Sequence, residues 1–308
     1  MKYRNSLRAK ETRLGIGLLS PTALIVFGLV IFPAFFAIWM SFHHVTLSNL
    51  NNVFGAEFVG LENYYKVIND YAFKFKTWNS MGAALTSIVY SVASTTVTVF
   101  LGLIAALLLN RKFKWRGIFR AAFLFPYVAP IISVAFVWRW MLSPRMSGIV
   151  NDVLLRMGAI SEPLSFLSTR GLALLIVITF TAWRYFPFAM LMILSRLQAI
   201  DETLYESAAV DGANRWQKFR FITLPQLRLV IGAVFMLRLI WTFNKFENIF
   251  LLTGGGYGTG VLPILTYQFS FESYNFGKGA ATAMILFGIL LVFLALYWGL
   301  FVRRGVDV

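Results

Sequence analysis

Hydrophobic positions along the chain neither alternate nor keep to single helical faces; they gather into six long runs with few or no charges. A membrane's hydrocarbon core is roughly 30 Å thick and an α-helix rises about 1.5 Å per residue, so a run of about 20 apolar residues crosses it. Residues 15–41, 81–109 and 279–302 are free of charge. Residues 121–143 hold Arg139, 171–194 hold Arg184, and 229–253 hold Arg238, Lys245 and Glu247. The pattern predicts an all-α integral membrane protein of six transmembrane helices with modest connections and no separate soluble domain. Its expected divisions are a cytoplasmic N-terminal segment 1–14, a first helix 15–41, an extracytoplasmic loop 42–80, a five-helix core 81–302 and a cytoplasmic tail 303–308. Lys2, Arg4, Arg8, Lys10 and Arg13 ahead of the first run resemble the basic region of a secretory signal. A signal core is only about 7–15 residues long, whereas this run reaches Ser41 with bulky Phe and Trp near its end, so it is expected to remain as a helix.

Composition agrees with this reading. Of 308 residues, 58% are hydrophobic and 13% charged, and mean hydropathy is +0.71, whereas a soluble domain carries about 25% charged residues. With no Cys, a disulfide scaffold, thiolate catalysis and Cys-based zinc sites are excluded. An aromatic content of 17% excludes intrinsic disorder. The formal charge of +15 would point to nucleic acid in a soluble chain, but here topology explains most of it. With both termini placed in the cytoplasm, 17 basic residues fall on that side, 7 on the other and 4 inside spans. That is the positive-inside bias, and it also accounts for the basic stretch Lys112 to Arg120.

The expected cytoplasmic loop 195–228, between the fourth and fifth spans, carries the densest local signals. Asp201 is a good N-cap with Glu202 in the first turn, and Gly212 is a good C-terminal stop. Asn214 with Gln217 three residues on reads as a capping box opening a second short helix, which Pro225 is expected to end. In the first helix Leu204 and Ala208, with Val210, make a small apolar face, while Tyr205, Ala209 and Gly212 form a side that another body can approach closely. A plain connecting hairpin remains the alternative on physical grounds.

The arrangement Glu206-Ser207-Ala208-Ala209, then Gly212, then Ile222-Thr223-Leu224-Pro225 resembles the cytoplasmic loop of the membrane subunits of binding-protein-dependent ABC importers. Three residues separate Ala208 from Gly212 and nine separate Gly212 from Ile222, as in the family pattern, and Ser207 stands where the family has its first Ala. The resemblance covers most of 81–302. Leu124-Phe125-Pro126-Tyr127-Val128-Ala129-Pro130 and Leu252-Thr253-Gly254-Gly255-Gly256 look like the carbohydrate-uptake branch that includes maltose and glycerol-3-phosphate permeases. Unlike the maltose-type subunit, this chain has one helix before the common core and no large extracytoplasmic insert.

The resemblance implies a type I ABC importer permease of the cytoplasmic (inner) membrane, both termini cytoplasmic, moving a carbohydrate by alternating access. It implies a second related permease subunit, two ATPase subunits and an extracytoplasmic solute-binding protein as partners. The chain has no Gly-x-x-x-x-Gly-Lys-Ser/Thr loop, so ATP and Mg are expected on partner subunits, with no catalytic residue, cofactor or metal here. The two-helix loop is then a coupling loop, with Glu206, Ala208, Ala209, Asp211 and Gly212 shaping the ATPase contact.

Substrate candidates lie among intramembrane polar and aromatic residues, because a charge at mid-bilayer costs at least about 2.5–3.5 kcal/mol and normally faces the bundle interior. Arg238, Thr242, Lys245 and Asn248 recur at helical spacing, with Asn244 and Glu247 beside them. Mutual neutralisation of Arg238, Lys245 and Glu247 is the alternative for the charged members. By resemblance to the maltose-type subunit, Tyr127, the segment Trp183-Arg184-Tyr185-Phe186-Pro187-Phe188, and Asn244 with Lys245 line the sugar cavity. The expected substrate set is therefore Tyr127, Trp183, Arg184, Tyr185, Phe188, Thr242, Asn244, Lys245 and Asn248. Aromatic rings stack on pyranose faces while polar neighbours read hydroxyls. Pro187 is expected to break its helix and free backbone groups, and Arg184 admits an anionic solute or pairing with backbone carbonyls. Gly256-Tyr257-Gly258 lacks the sequence of a potassium filter, adjacent His43 and His44 suit no single metal, and Trp39, Trp138 and Trp140 fit an interfacial belt. The alternative function is a secondary transporter driven by an ion gradient.

Overall fold

A computed structural model of the protein describes residues 2–73, 81–145 and 148–299, with side chains from Thr12 onward. Expectations for Lys74 and Lys76 in the first loop, and for the tail 303–308 with Arg303 and Arg304, lie outside the described residues. So do the side chains of Lys2, Arg4, Arg8 and Lys10.

The described chain is mainly helical, with isolated bridges but no strand among the described residues. In order its helices are α1 (Lys2–Val26), α2 (Phe32–Ser41), α3 (Glu62–Val67), α4 (Ala83–Asn110), α5 (Arg116–Val128), α6 (Ile131–Met141) and α7 (Ile149–Arg156). Then come α8 (Leu172–Gln198), α9 (Glu202–Val210), α10 (Arg215–Lys218), α11 (Leu224–Phe243), α12 (Glu247–Thr253), α13 (Leu262–Tyr267) and α14 (Phe276–Tyr297). Five continuous helices are long and apolar enough to cross a membrane, and α5 with α6 makes a sixth that is bent by 92°. The first, Thr12–Ser41, runs through α1, a π-helical turn and α2. Helix begins as early as Lys2, so the basic N-terminal stretch is the first turns of that helix.

The chain divides into two compact units, Met1–Val67 with Thr266–Ile285, and Ile68–Leu265 with Leu286–Val308. In the first unit, Asn63 donates to the carbonyls of Ser41 and His43 (3.0 Å each), and the Gly277 amide donates to Val45 (3.1 Å). A side chain at Gly277 would meet the His43 carbonyl oxygen at 2.4 Å, which is why a glycine stands there.

The second unit is built on α4 packed along α8. Gly102 permits the approach, since a Cβ there would lie 2.6 Å from the Ala189 Cβ. Two apolar clusters stack along this axis, one around Leu109, Met190, Ile193, Leu197 and Leu227, the other around Tyr90, Val177, Phe180 and Ile249. Trp138 packs against the second cluster, 5.3 Å from Phe180 and 5.5 Å from Trp183.

Four expectations about helix breaks are overturned. Pro187 lies inside an unbroken α8, and Pro225 sits in the first turn of α11 within one helix running Arg215–Phe243, joined to α10 by a π-helical turn. Pro225 follows directly on that π-helical turn, where the Leu224 amide reaches back five residues to the Phe219 carbonyl, and this local shift of the hydrogen-bond register accommodates the missing N–H without ending the helix. The run 121–143 is instead broken at Ala129-Pro130. Ala129 is extended (ψ 140°), the conformation favoured before proline, and Pro130 starts α6. The fifth run is also broken. α11 stops at Asn244, whose side-chain amide turns back to donate to the Ile240 carbonyl (2.9 Å), a local alternative to continuing the helix. Glu247 then opens α12.

Candidate functional site

The loop between α8 and α11 follows its capping chemistry. The Asp201 carboxylate accepts the Thr203 amide (2.9 Å), starting α9. Gly212 ends it at φ +78°, a left-handed value that a side chain resists. Asn214 and Gln217 form the reciprocal box that starts α10 (2.7 and 2.9 Å). The neck of the loop is tied by Arg196 near the end of α8, which donates to the Gln226 backbone carbonyl (3.2 Å) and to its side-chain oxygen (2.7 Å).

On α9 and the turn that ends it, Ala209 and Gly212 lie outward as expected, but Tyr205 does not. Tyr205 points inward, packed against the cluster of Leu109, Leu197, Ile200 and Leu227, and its hydroxyl hydrogen-bonds Thr223 Oγ1 (2.9 Å). Leu204 is exposed and Val210 is 89% exposed. A tyrosine can bury its ring while its hydroxyl finds a partner, and Thr223 in the following helix supplies one. Glu206, Ala209, Asp211 and Gly212 lie outward with Leu204 and Val210, and Ala208 is half-buried.

The bend between α5 and α6 brings a second set of groups together. The Pro126 carbonyl would ordinarily accept the amide four residues on, but that residue is Pro130, which has no N–H. Arg184 supplies both missing donors, Nη1 to Pro126 O (3.2 Å) and Nη2 to Ala129 O (2.9 Å). The next residue, Tyr185, carries a ring approached by the guanidinium of Arg238 (4.1 Å to the centroid), the Lys245 ammonium (5.5 Å) and the Tyr127 ring (6.1 Å). Arg238 is 2% exposed. Its Nη2 donates to Thr242 Oγ1 (3.2 Å), its ion lies 5.9 Å from the Trp241 ring, and no carboxylate among the described residues pairs with it. Lys245 pairs with Glu247 (3.8 Å). Of the expected mutual neutralisation, only this pair forms, and ring faces and a hydroxyl hold Arg238. One turn before Tyr185, Thr181 bonds both the Tyr90 hydroxyl and the Asn248 amide (3.0 Å each).

Residues 98–308 match the family described as the binding-protein-dependent transport system inner membrane component. The chain belongs to that family. It is 36% identical over 281 residues to the inner membrane ABC transporter permease protein YcjO of Escherichia coli, covering 91% of each chain. It is 31% identical over 294 residues to the trehalose/maltose transport system permease protein MalF of Thermococcus litoralis, covering 95% of each. Its fold matches, with a TM-score of 0.77 and 22% identity, a chain of the crystal structure of a bacterial ABC transporter involved in the import of the acidic polysaccharide alginate, covering 98% of this chain and 99% of that one. The protein is thus a multi-pass inner-membrane transport component, and transport rather than catalysis is its work.

Within this permease, the expected substrate residues do not all meet. Tyr127, Arg184, Tyr185, Thr242 and Lys245 converge on the Tyr185 ring directly or through Arg238. Phe188 joins from the side through Trp241 (5.2 Å between rings). Asn248 stands one turn away with Thr181. Trp183 faces Trp138 and Phe180 instead, and Asn244 is exposed at the break with its amide turned to Ile240. The substrate set left out Arg238, Trp241, Thr181 and Tyr90. Arg238 was visible as an intramembrane charge, Trp241 lies three residues beyond it, and Thr181 lies one turn before Tyr185 on the same face.

Proposed function

We propose that this chain is one of two related permease subunits of an ATP-driven importer, working with two ATPase subunits and an extracytoplasmic solute-binding protein, and that its solute is a carbohydrate. ATP and magnesium are held by the ATPases. Both termini and the two-helix loop face the cytoplasm, in keeping with the basic residues of the connections. Loaded binding protein docks outside, closure of the ATPase pair moves the loop as a rigid lever, and the pathway alternates its access.

The observation that carries this reading is the two-helix loop. It is capped at both starts, tied at its neck by Arg196 and anchored by Tyr205, yet it leaves Leu204 and Val210 exposed beside Glu206, Ala209, Asp211 and Gly212. An apolar patch fixed to the bundle at its back is what a lever needs in order to transmit movement. The carbohydrate assignment is supported by the ring faces of Tyr127 and Tyr185 set among hydrogen-bonding groups, and by a relative named for trehalose and maltose. Tyr127, Trp183, Arg184, Tyr185, Phe188, Thr242, Asn244, Lys245 and Asn248 are proposed to line or support the pathway.

Reconstitution with the co-expressed partner subunits tests it. Uptake of a saccharide delivered by the binding protein should require ATP and persist without an ion gradient. Uptake by this chain alone, driven by a proton or sodium gradient, would refute the reading in favour of secondary transport. Asn244→Ala should reduce solute-stimulated ATP hydrolysis; unchanged stimulation at every solute concentration removes Asn244 from the pathway.

A further inference from the structure

A groove of about 600 Å³ opens along the middle of the helix Arg215–Phe243, lined by Arg220, Leu224, Pro225, Arg228, Ile231, Gly232, Phe235 and Tyr297. Residues 220, 224, 228, 231 and 235 follow the spacing of one helix face. Polarity along that face is graded. Arg220 and Arg228 stand towards the end nearest the two-helix loop, and the lining beyond them on this helix, Ile231, Gly232 and Phe235, is apolar. Neither arginine is in an ion pair with any described carboxylate, both are exposed, and no acidic residue lines the groove. Tyr297, near the end of α14, adds an amphipathic ring of the kind found at membrane interfaces.

We infer that this groove holds one anionic phospholipid of the leaflet on the loop side, its phosphate between Arg220 and Arg228 and an acyl chain along Ile231, Gly232 and Phe235. The length fits. From Arg220 to Phe235 is 15 residues, about 22 Å of helix, enough for a headgroup and most of an acyl chain. The chemistry fits as well. Basic pockets beside membrane-spanning helices attract anionic headgroups, and the apolar wall deeper in the groove suits an acyl chain. A protein partner seated here would have to bring an acidic group to the membrane interface and an apolar strip below it. The inference is independent of the solute and of the drive for transport.

Purified complex, stripped of lipid in detergent and titrated with phosphatidylglycerol or phosphatidylcholine, is read by native mass spectrometry. The wild type should bind one phosphatidylglycerol in preference to phosphatidylcholine. R220Q/R228Q should bind phosphatidylglycerol about 30-fold more weakly with phosphatidylcholine unchanged, and R220K/R228K should keep the preference. Equal binding of the two lipids by the wild type overturns the proposal even if no variant assembles. So does R220Q/R228Q binding phosphatidylglycerol as the wild type does, or shedding a protein subunit while its lipid occupancy stays the same.

Discussion

Tyr205 offers the sharpest test of how the two-helix loop is held. Tyr205→Phe keeps the ring against the apolar cluster and removes only its bond to Thr223. A hydrogen bond between neutral groups contributes about 0.5–1.5 kcal/mol net, so the equilibrium between seated and loosened loop should shift about two- to tenfold. Tyr205→Ala also forfeits the ring. Deleting a fully buried aromatic costs about 3–5 kcal/mol, and the half-buried position of Tyr205 brings that to roughly 1.5–2.5. With the lost bond the total is about 2–4 kcal/mol, or a shift of about 30- to 1000-fold. Trypsin cleavage after Arg215 or Lys218, at protease levels where reclosing outpaces cutting, reads the open population directly. Cleavage should accelerate slightly for Tyr205→Phe and steeply for Tyr205→Ala. Thr223→Val should cost at least as much as Tyr205→Phe, because it also removes the hydroxyl's bond to the Lys218 carbonyl (3.4 Å), and adding Tyr205→Phe to Thr223→Val should cost nothing further. Coupling should follow in the assembled transporter, with more ATP hydrolysed per solute moved in Tyr205→Ala. A Tyr205→Ala loop cut at the wild-type rate would refute the anchoring role.

Gly212→Ala meets no atom within 4 Å, so its whole cost is the left-handed backbone at φ +78°. That is about 1–2 kcal/mol, seen as roughly five- to thirtyfold faster tryptic cutting of the loop, with Gly212→Asn milder. The Thr203 backbone amide, then its hydroxyl, hold the Asp201 carboxyl below its ordinary pKa. A folded value lowered in this way stabilises the loop above the unfolded pKa of about 3.9 and is lost as pH falls through the folded value. Pepsin nicking of the loop should therefore increase as pH drops below about 4, and Asp201→Asn should abolish that pH dependence. Arg184→Leu strips two carbonyls of their donors, at about 1–3 kcal/mol each, while sparing the roughly 2.5–3.5 kcal/mol of holding a cation in the membrane. The net is small, so the expected change is in the bend. Because the chain has no Cys, spin labels on Cys substituted at Phe119 and Trp140 report it cleanly. Their distance distribution should broaden in Arg184→Leu and less so in Arg184→Lys; an unchanged distribution would refute the brace.

Whatever depends on neighbours in sequence was legible. Six apolar runs marked the spans, and Asp201, Gly212 and the Asn214–Gln217 box marked the loop, because caps are settled within four residues. What depended on the opposite wall of a groove was not. Prolines 126, 130 and 187 all sit in apolar runs, and nothing local says that only Pro130 interrupts its helix. The difference is that Arg184, 54 positions beyond Pro130 in the sequence, is placed to serve the carbonyls left open by that break. The face of α9 was misread for the same reason. Tyr205 looked like an outward residue until Thr223 and the end of α4 gave its ring and hydroxyl somewhere to go. At the centre of the bundle, helical spacing grouped Arg238 with Lys245 and Asn248, yet the stop at Asn244 places the last two beyond the end of α11. Lys245 rejoins Arg238 only because both turn towards Tyr185 on another span. Local chemistry marks where this chain is able to break; the partner that satisfies the freed groups decides where it does, and in doing so decides which rings and cations face one another in the bundle.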